Sequence, residues 1–239
     1  MPADFRIRPA GDSALVVEFE ERIDPALSAR VLALEAALTA DPPPGVRETL
    51  PTYRSLLVRF DPLDPGAEVL EATLASRAAV ARGAANPGRL WRIPCAYGGA
   101  HGEDLEGVAR AKSLTTDEVV RIHATTPWHV YMIGFAPGAT YLGKLDARLH
   151  LPRRANPRAR VPAGSVPIAG QQGLIMSIAM PSGWHLLGQT PVRLFEPRRA
   201  EPFLLAPGDR VRFEPISAAE YDRLDRLAER GEVVAEVTA

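Results

Sequence analysis

The chain of 239 residues is poor in thiols, in lysine and in long apolar runs. Its single cysteine, Cys95, excludes an internal disulfide and a cysteine-based zinc site. Two lysines, Lys112 and Lys144, stand among 28 basic residues, so the positive charge is almost all arginine. Against 29 acidic residues the net charge is −1, which gives no general electrostatic reason to expect nucleic acid or an anionic membrane as partner. No stretch approaches the ~18 apolar residues of a membrane span. The first eight residues have neither the basic nor the apolar region of a signal peptide. A soluble, cytoplasmic protein is expected. With 46% hydrophobic and 24% charged residues the composition is ordinary and globular, which excludes wholesale disorder. The five histidines lack metal-ligand spacing, and no metal site is expected.

The chain changes texture near residue 90. Before it, elements alternate: an apolar strand at 14–19, then Asp24-Pro25 as an N-cap with proline at the first helical position. Leu27, Val31, Leu34 and Leu38 recur at helical spacing until three prolines, Pro42 to Pro44, stop the helix. Strands are expected at 46–52 and 55–60. A second helix starts at Asp64-Pro65, carries Val69, Leu70, Thr73 and Leu74, and is broken at Asn86-Pro87-Gly88. Trp91, Ile93 and Cys95 alternate on one face of a further strand. The order strand, helix, strand, strand, helix, strand is the split βαβ pattern of ferredoxin-like domains. After residue 98, Thr115 and Glu118 form a capping box before a short helix to about residue 124. Short strands follow at 128–135, 166–169, 174–179, 184–187, 192–195 and 210–213, separated by glycine and proline, which predicts a closed or nearly closed β-barrel. A second capping box, Ser217 with Glu220, opens a C-terminal helix that Gly231 ends. The fold class is therefore α+β, with domains at 1–88 and 89–239.

Chemistry-bearing residues gather in the second half. Gly138 to Lys144 matches the spacing G-x-x-x-x-G-K of a phosphate loop, but Leu145 stands where a Ser or Thr would hold magnesium, and no helix is expected after it. Arg153, Arg154, Arg158 and Arg160 surround Asn156-Pro157; they read either as a solvated basic loop or as forks for carboxylate and phosphate. Gly164-Ser165 is either a barrel corner that needs glycine or a turn whose N–H groups and hydroxyl hold an oxyanion. His123, at a helix C-terminus, either answers the helix dipole or handles protons. Trp184 reads as core, and Cys95 as a small buried side chain.

The ordered motifs CAYGGAHGEDLEGVA, EVVRIHATTPWHVYMIGFAPGATYLGKLD, PRRANPRARVPAGSVPIAG, PSGWHLLGQTPVRLFEP and LLAPGDRVRFEPI resemble the KipI/PxpB family, which is also labelled allophanate hydrolase subunit 1 or the carboxyltransferase-domain B subunit. The resemblance spans essentially the whole chain. It implies a small α+β domain before a cyclophilin-like β-barrel, and the PxpB component of an ATP-dependent 5-oxoprolinase that opens the lactam to glutamate. Its implied partners are PxpC/KipA-like and PxpA-like subunits, with ATP and Mg shared among them. A KipI-type inhibitor of a sensor histidine kinase is the alternative, as is a paralogue acting on another small amide or acid; prolyl isomerisation follows from shape alone and ranks last. Carried over residue by residue, the resemblance implies catalytic roles for His123, Tyr141 and Ser165, and substrate or phosphate binding by Arg153, Arg158, Arg160, Gly164 and Gln172. Phe135, Pro137, Gly138, Pro162, Trp184 and Gly188 also match the pattern. The chain departs from it at Ala139, Thr140, Lys144, Met176, Ser182 and Gln189, which removes a tyrosine hydroxyl and an arginine fork and puts the usual substrate in question.

Overall fold

The computed structural model describes residues 4–64, 66–83 and 88–238. The chain divides into two compact units, Met1–Pro87 and Gly88–Ala239. In the first, strands β1 (Arg6–Pro9) and β2 (Ala14–Glu18) precede helix α1 (Pro25–Ala40). Strands β3 (Val46–Pro51) and β4 (Ser55–Phe60) and helix α2 (Ala67–Val80) complete it. The Asp24 carboxylate accepts from the Ala26 N–H at 2.8 Å, and Pro25 opens α1 as its sequence predicts. Leu27, Val31, Leu34 and Leu38 of α1 pack with Leu70, Leu74 and Ala78 of α2 on Leu15, Val17, Leu56, Val58 and Phe60. The sheet order is β1-β2-β4-β3, every pair antiparallel, so β4 splits the β2-α1-β3 unit.

Two details depart from the sequence reading. The strand containing Trp91, Ile93 and Cys95 is not the sixth element of this unit; the edge beside β2 is filled by β1, which reaches it through a tight turn with Gly11 at φ +75°. And α2 is capped by Gly66, with Val69 57% exposed on its solvent face. Pro65, Asn86 and Pro87 lie outside the described residues.

The second unit runs β5 (Leu90–Tyr97), α3 (Leu105–Ala111), α4 (Thr116–Thr125), β6 (Trp128–Ile133), β7 (Thr140–Gly143), β8 (Arg158–Val161), β9 (Ser165–Ala169) and β10 (Gln172–Ile175). It continues with β11 (Met180–Ser182), β12 (His185–Gln189), β13 (Arg210–Ile216), α5 (Ala218–Glu229) and β14 (Glu236–Thr238). Seven strands, ordered β12-β9-β10-β7-β6-β13-β5, close into a barrel through the pairing of β5 with β12. Strands β5 and β13 run parallel from Leu90–Arg210 to Ala96–Ile216, and β14 adds to β5.

One hydrophobic cluster takes residues from all seven strands, among them Ile93, Trp128, Leu142, Ile168, Ile175, Leu187 and Phe213; it is the barrel interior, joined by Leu105 and Val108 of α3 and Val119 and Ile122 of α4. A separate cluster holds Ala139, Val161, Ala169, Leu174, Met176, Met180, Trp184 and Leu186. Because side chains alternate along a strand, this second cluster is the outer face of β7, β10, β9 and β12, covered by the β8–β11 ribbon. The segment 192–195, expected as a strand, holds only a bridge from Phe195 to Phe203. No helix among the described residues is long and apolar enough to cross a membrane.

Candidate functional site

The covered outer face of the barrel brings several of the sequence-predicted residues together. Tyr141 on β7 lies opposite Leu174 of β10, and its ring meets Trp184 edge-on at 6.2 Å. The Arg153 guanidinium stands 5.7 Å over the same Trp184 ring. Burial raises the Tyr141 hydroxyl above its ordinary value of 10.0, and the Arg153 charge works against that rise. Gln172 lies two residues before Leu174 and so shares its face. Ser165 lies on the same face, 2% exposed, opposite Gln189 of β12.

The turn before Ser165 is held tightly. Gly164 has φ +77°, and any Cβ there would run into the Thr190 carbonyl. Its N–H donates to Met176 O at 2.6 Å, and the Ser165 N–H points to Pro162 O at 3.4 Å. Both N–H groups are therefore engaged within the chain, and a corner that needs glycine accounts for this turn without an oxyanion. Gln189 braces it from the side: its Nε2 donates to Ala163 O at 2.8 Å, while its Oε1 accepts from His101 Nδ1 at 3.1 Å.

The four arginines separate into two kinds. Arg158 grips the Asp104 carboxylate with two nitrogens, at 2.9 and 2.8 Å, and Arg154 reaches it at 2.7 Å. The Leu186 N–H adds a bond at 2.8 Å, and Glu103 sits 3.2 Å from Arg158. Burial pushes the Asp104 carboxyl up. The Arg158 hydrogen bond, the Leu186 N–H and the two arginine charges outweigh it and hold the group below 3.8. Asp104 was not singled out by sequence; it lies 54 residues before Arg158, and no local pattern marks it. Arg153 and Arg160, both exposed, have no ion-pair partner among the described residues.

His123 lies elsewhere. It is 0% exposed, on the last turn of α4, with its ring against Trp128 and Phe213 of the barrel interior. Its Nδ1 is 2.8 Å from the Tyr97 hydroxyl, its carbonyl accepts from Trp128 Nε1 at 3.0 Å, and burial lowers its pKa to about 3. The imidazole is thus a neutral core group on the inner side of the barrel wall, across from Tyr141 and Ser165.

The residues matching a phosphate loop do not form one. Thr140 to Gly143 is strand β7, Lys144 has φ +72°, and only a three-residue 3-10 turn, Ala147–Leu149, follows. A triphosphate cradle needs successive backbone N–H groups leading into a helix, and this chain offers none there. Among the described residues no group of three or more His, Cys, Asp or Glu is placed to hold a metal ion. A cleft of about 590 Å³ does open between α4 and β13, lined by Arg121, Arg212, Val120 and Pro215, but it contains none of the sequence-predicted residues.

A split βαβ unit followed in the chain by a closed seven-stranded barrel defines the class. The carboxyltransferase domain family, subdomain C and D, matches residues 5–205, and the chain belongs to it. It is 38% identical over 235 residues to the B subunit of 5-oxoprolinase from Bacillus subtilis, covering 92% of this chain and 97% of that protein. The crystal structure of TTHA0988 superposes with a TM-score of 0.77 at 35% identity, covering 89% of this chain but only 40% of that one. The urea amidolyase of K. lactis shares the fold, with a TM-score of 0.83 at 20% identity over 98% of this chain and 16% of its own.

Proposed function

We propose that this chain is the PxpB component of an ATP-dependent 5-oxoprolinase-like amidohydrolase, which opens 5-oxoproline to glutamate together with PxpC-like and PxpA-like subunits. The observation that carries the reading is the 38% identity that extends over 97% of the B. subtilis 5-oxoprolinase component. The geometry supports it: Arg153 and Arg160 are uncompensated cations, and Arg153 sits beside an aromatic wall of Trp184 and Tyr141. These forks suit the carboxylate of a small acid. Tyr141 supplies a phenol that stays protonated at neutral pH and can donate a hydrogen bond to a carbonyl oxygen. Arg158 acts as a positioning residue, because its guanidinium is held by Asp104. ATP, with its Mg, is read as shared with the partner subunits, because Gly138 to Lys144 runs into strand β7 and forms no triphosphate cradle by itself.

The test is to purify the chain with its partner subunits and follow 5-oxoproline-dependent ATP hydrolysis. Turnover is expected from the full assembly and not from the lone chain. Arg153→Ala should lower kcat/KM by about 10- to 100-fold, the size of a lost charged hydrogen bond, with an unchanged circular dichroism spectrum. An inactive full assembly, beside a working B. subtilis control, overturns the reading.

A further inference from the structure

Phe135 is 79% exposed, the most exposed aromatic side chain of the described residues, and its backbone has φ +67°. A bulky L-residue adopts that conformation only at a cost, and the surroundings must impose it. Here they do. The loop is closed by Gly134 N–H to Ala139 O and by Ala139 N–H to Ala136 O, each at 3.0 Å. The Ser177 hydroxyl donates to Pro137 O from the neighbouring segment. Gly138, at φ +76°, lies so close to Phe195 that an added Cβ would stand 2.7 Å from the Phe195 Cβ. The ring is therefore displayed on a fastened loop. Other apolar groups are exposed beside it. Ile178, next to Ser177, is 42% exposed, and Phe203, whose ring stacks at 5.1 Å on Phe195, is 47% exposed. Three large exposed apolar side chains thus lie on segments fastened to one turn, the composition of an aromatic-anchored protein interface.

We infer that the Phe135 turn, with Ile178 and Phe203, is the surface on which this chain docks its PxpC-like partner, Phe135 entering an apolar pocket of that protein. The inference rests on the assembly proposed above. A partner protein is favoured as occupant because this chain spans only 40% of TTHA0988 at 35% identity, so that there the equivalent unit is joined to a larger body of further chain. In B. subtilis the relative of nearly the same length is named a subunit.

The experiment is a calorimetric titration of the purified chain with the purified PxpC-like protein. Wild type should bind. Phe135→Gly should bind at least tenfold more weakly while its thermal midpoint rises, because glycine adopts φ +67° without strain. Phe203→Ser should weaken binding as well, and Arg212→Ala, in the cleft beside α4, should not. Wild type that binds, together with Phe135→Gly and Phe203→Ser variants that bind equally well, overturns this surface and leaves the assembly standing. Wild type that does not bind overturns the assembly and the surface with it. Loss of self-association in sedimentation, with partner affinity intact, makes a second copy the occupant and also overturns the inference.

Discussion

Arginine at four nearby positions meets two kinds of surroundings, and the difference is electrostatic. Arg154 and Arg158 share the nearly buried Asp104, which also accepts the Leu186 N–H, so one carboxylate satisfies four donor nitrogens from three residues. Removing it leaves two guanidinium groups and a backbone N–H without their acceptor. Asp104→Ala should therefore destabilise the second unit by about 2–4 kcal/mol, measured by urea denaturation. Asp104→Asn, which keeps the shape and an acceptor oxygen, should cost less. Arg153 and Arg160 have no such tie, and their loss should leave the unfolding free energy within about 0.5 kcal/mol of wild type. Burial keeps the His123 imidazole neutral across the range in which a free histidine titrates. Its folded pKa of about 3 lies below the ordinary 6.5, so the unfolded chain binds the extra proton. Its contribution to stability is complete above pH 6.5 and declines as pH falls toward about 3, at up to ~1.4 kcal/mol per pH unit. Replacement by Phe should flatten stability between pH 4 and 6.5; an unchanged slope would refute a neutral buried imidazole.

At the scale of elements, the local signals were legible. The Thr115 capping box forms as its spacing predicts, with Glu118 N–H to Thr115 Oγ1 at 3.2 Å and Thr115 N–H to Glu118 Oε2 at 2.8 Å. Thr115→Ala should cost about 1 kcal/mol and lower the melting temperature of the unit by roughly 2–4 °C. Asp24 with Pro25, and Ser217 with the Glu220 N–H, likewise start helices where the sequence places them. Elements without such signals escaped. Strand β8 reads Arg-Ala-Arg-Val and carries a single buried side chain, so its character comes from pairing with β11 and not from alternation. Strands β1, β7, β11 and β14 have only three or four residues each, too few for a period to show. Helix α3, seven residues long without a side-chain cap, gave no start signal.

At the scale of the molecule, each unit has its own hydrophobic cluster or clusters: Leu15 to Ala81 in the first, Trp91 to Phe213 in the second. Residues 88–239 expressed alone should therefore fold, with a cooperative thermal transition and near-ultraviolet dichroism from Trp91, Trp128 and Trp184. A molten fragment would show that the barrel depends on the first unit.

By itself the sequence determined what local chemistry dictates: helix starts, proline stops, the inward alternation of Trp91, Ile93 and Cys95, and the family to which the ordered motifs belong. The tertiary structure decided what depends on residues far apart in the chain. It placed 90–97 in the barrel and gave its expected sheet position to 6–9. It put His123 inside the wall and Tyr141 outside it, and it engaged the N–H of Gly164 with Met176. It neutralised Arg158 with an aspartate 54 residues away and left Arg153 free over Trp184. Those outcomes turn on which face of a closed sheet a side chain occupies and which distant group meets it there, and neither is encoded within any window of neighbouring residues.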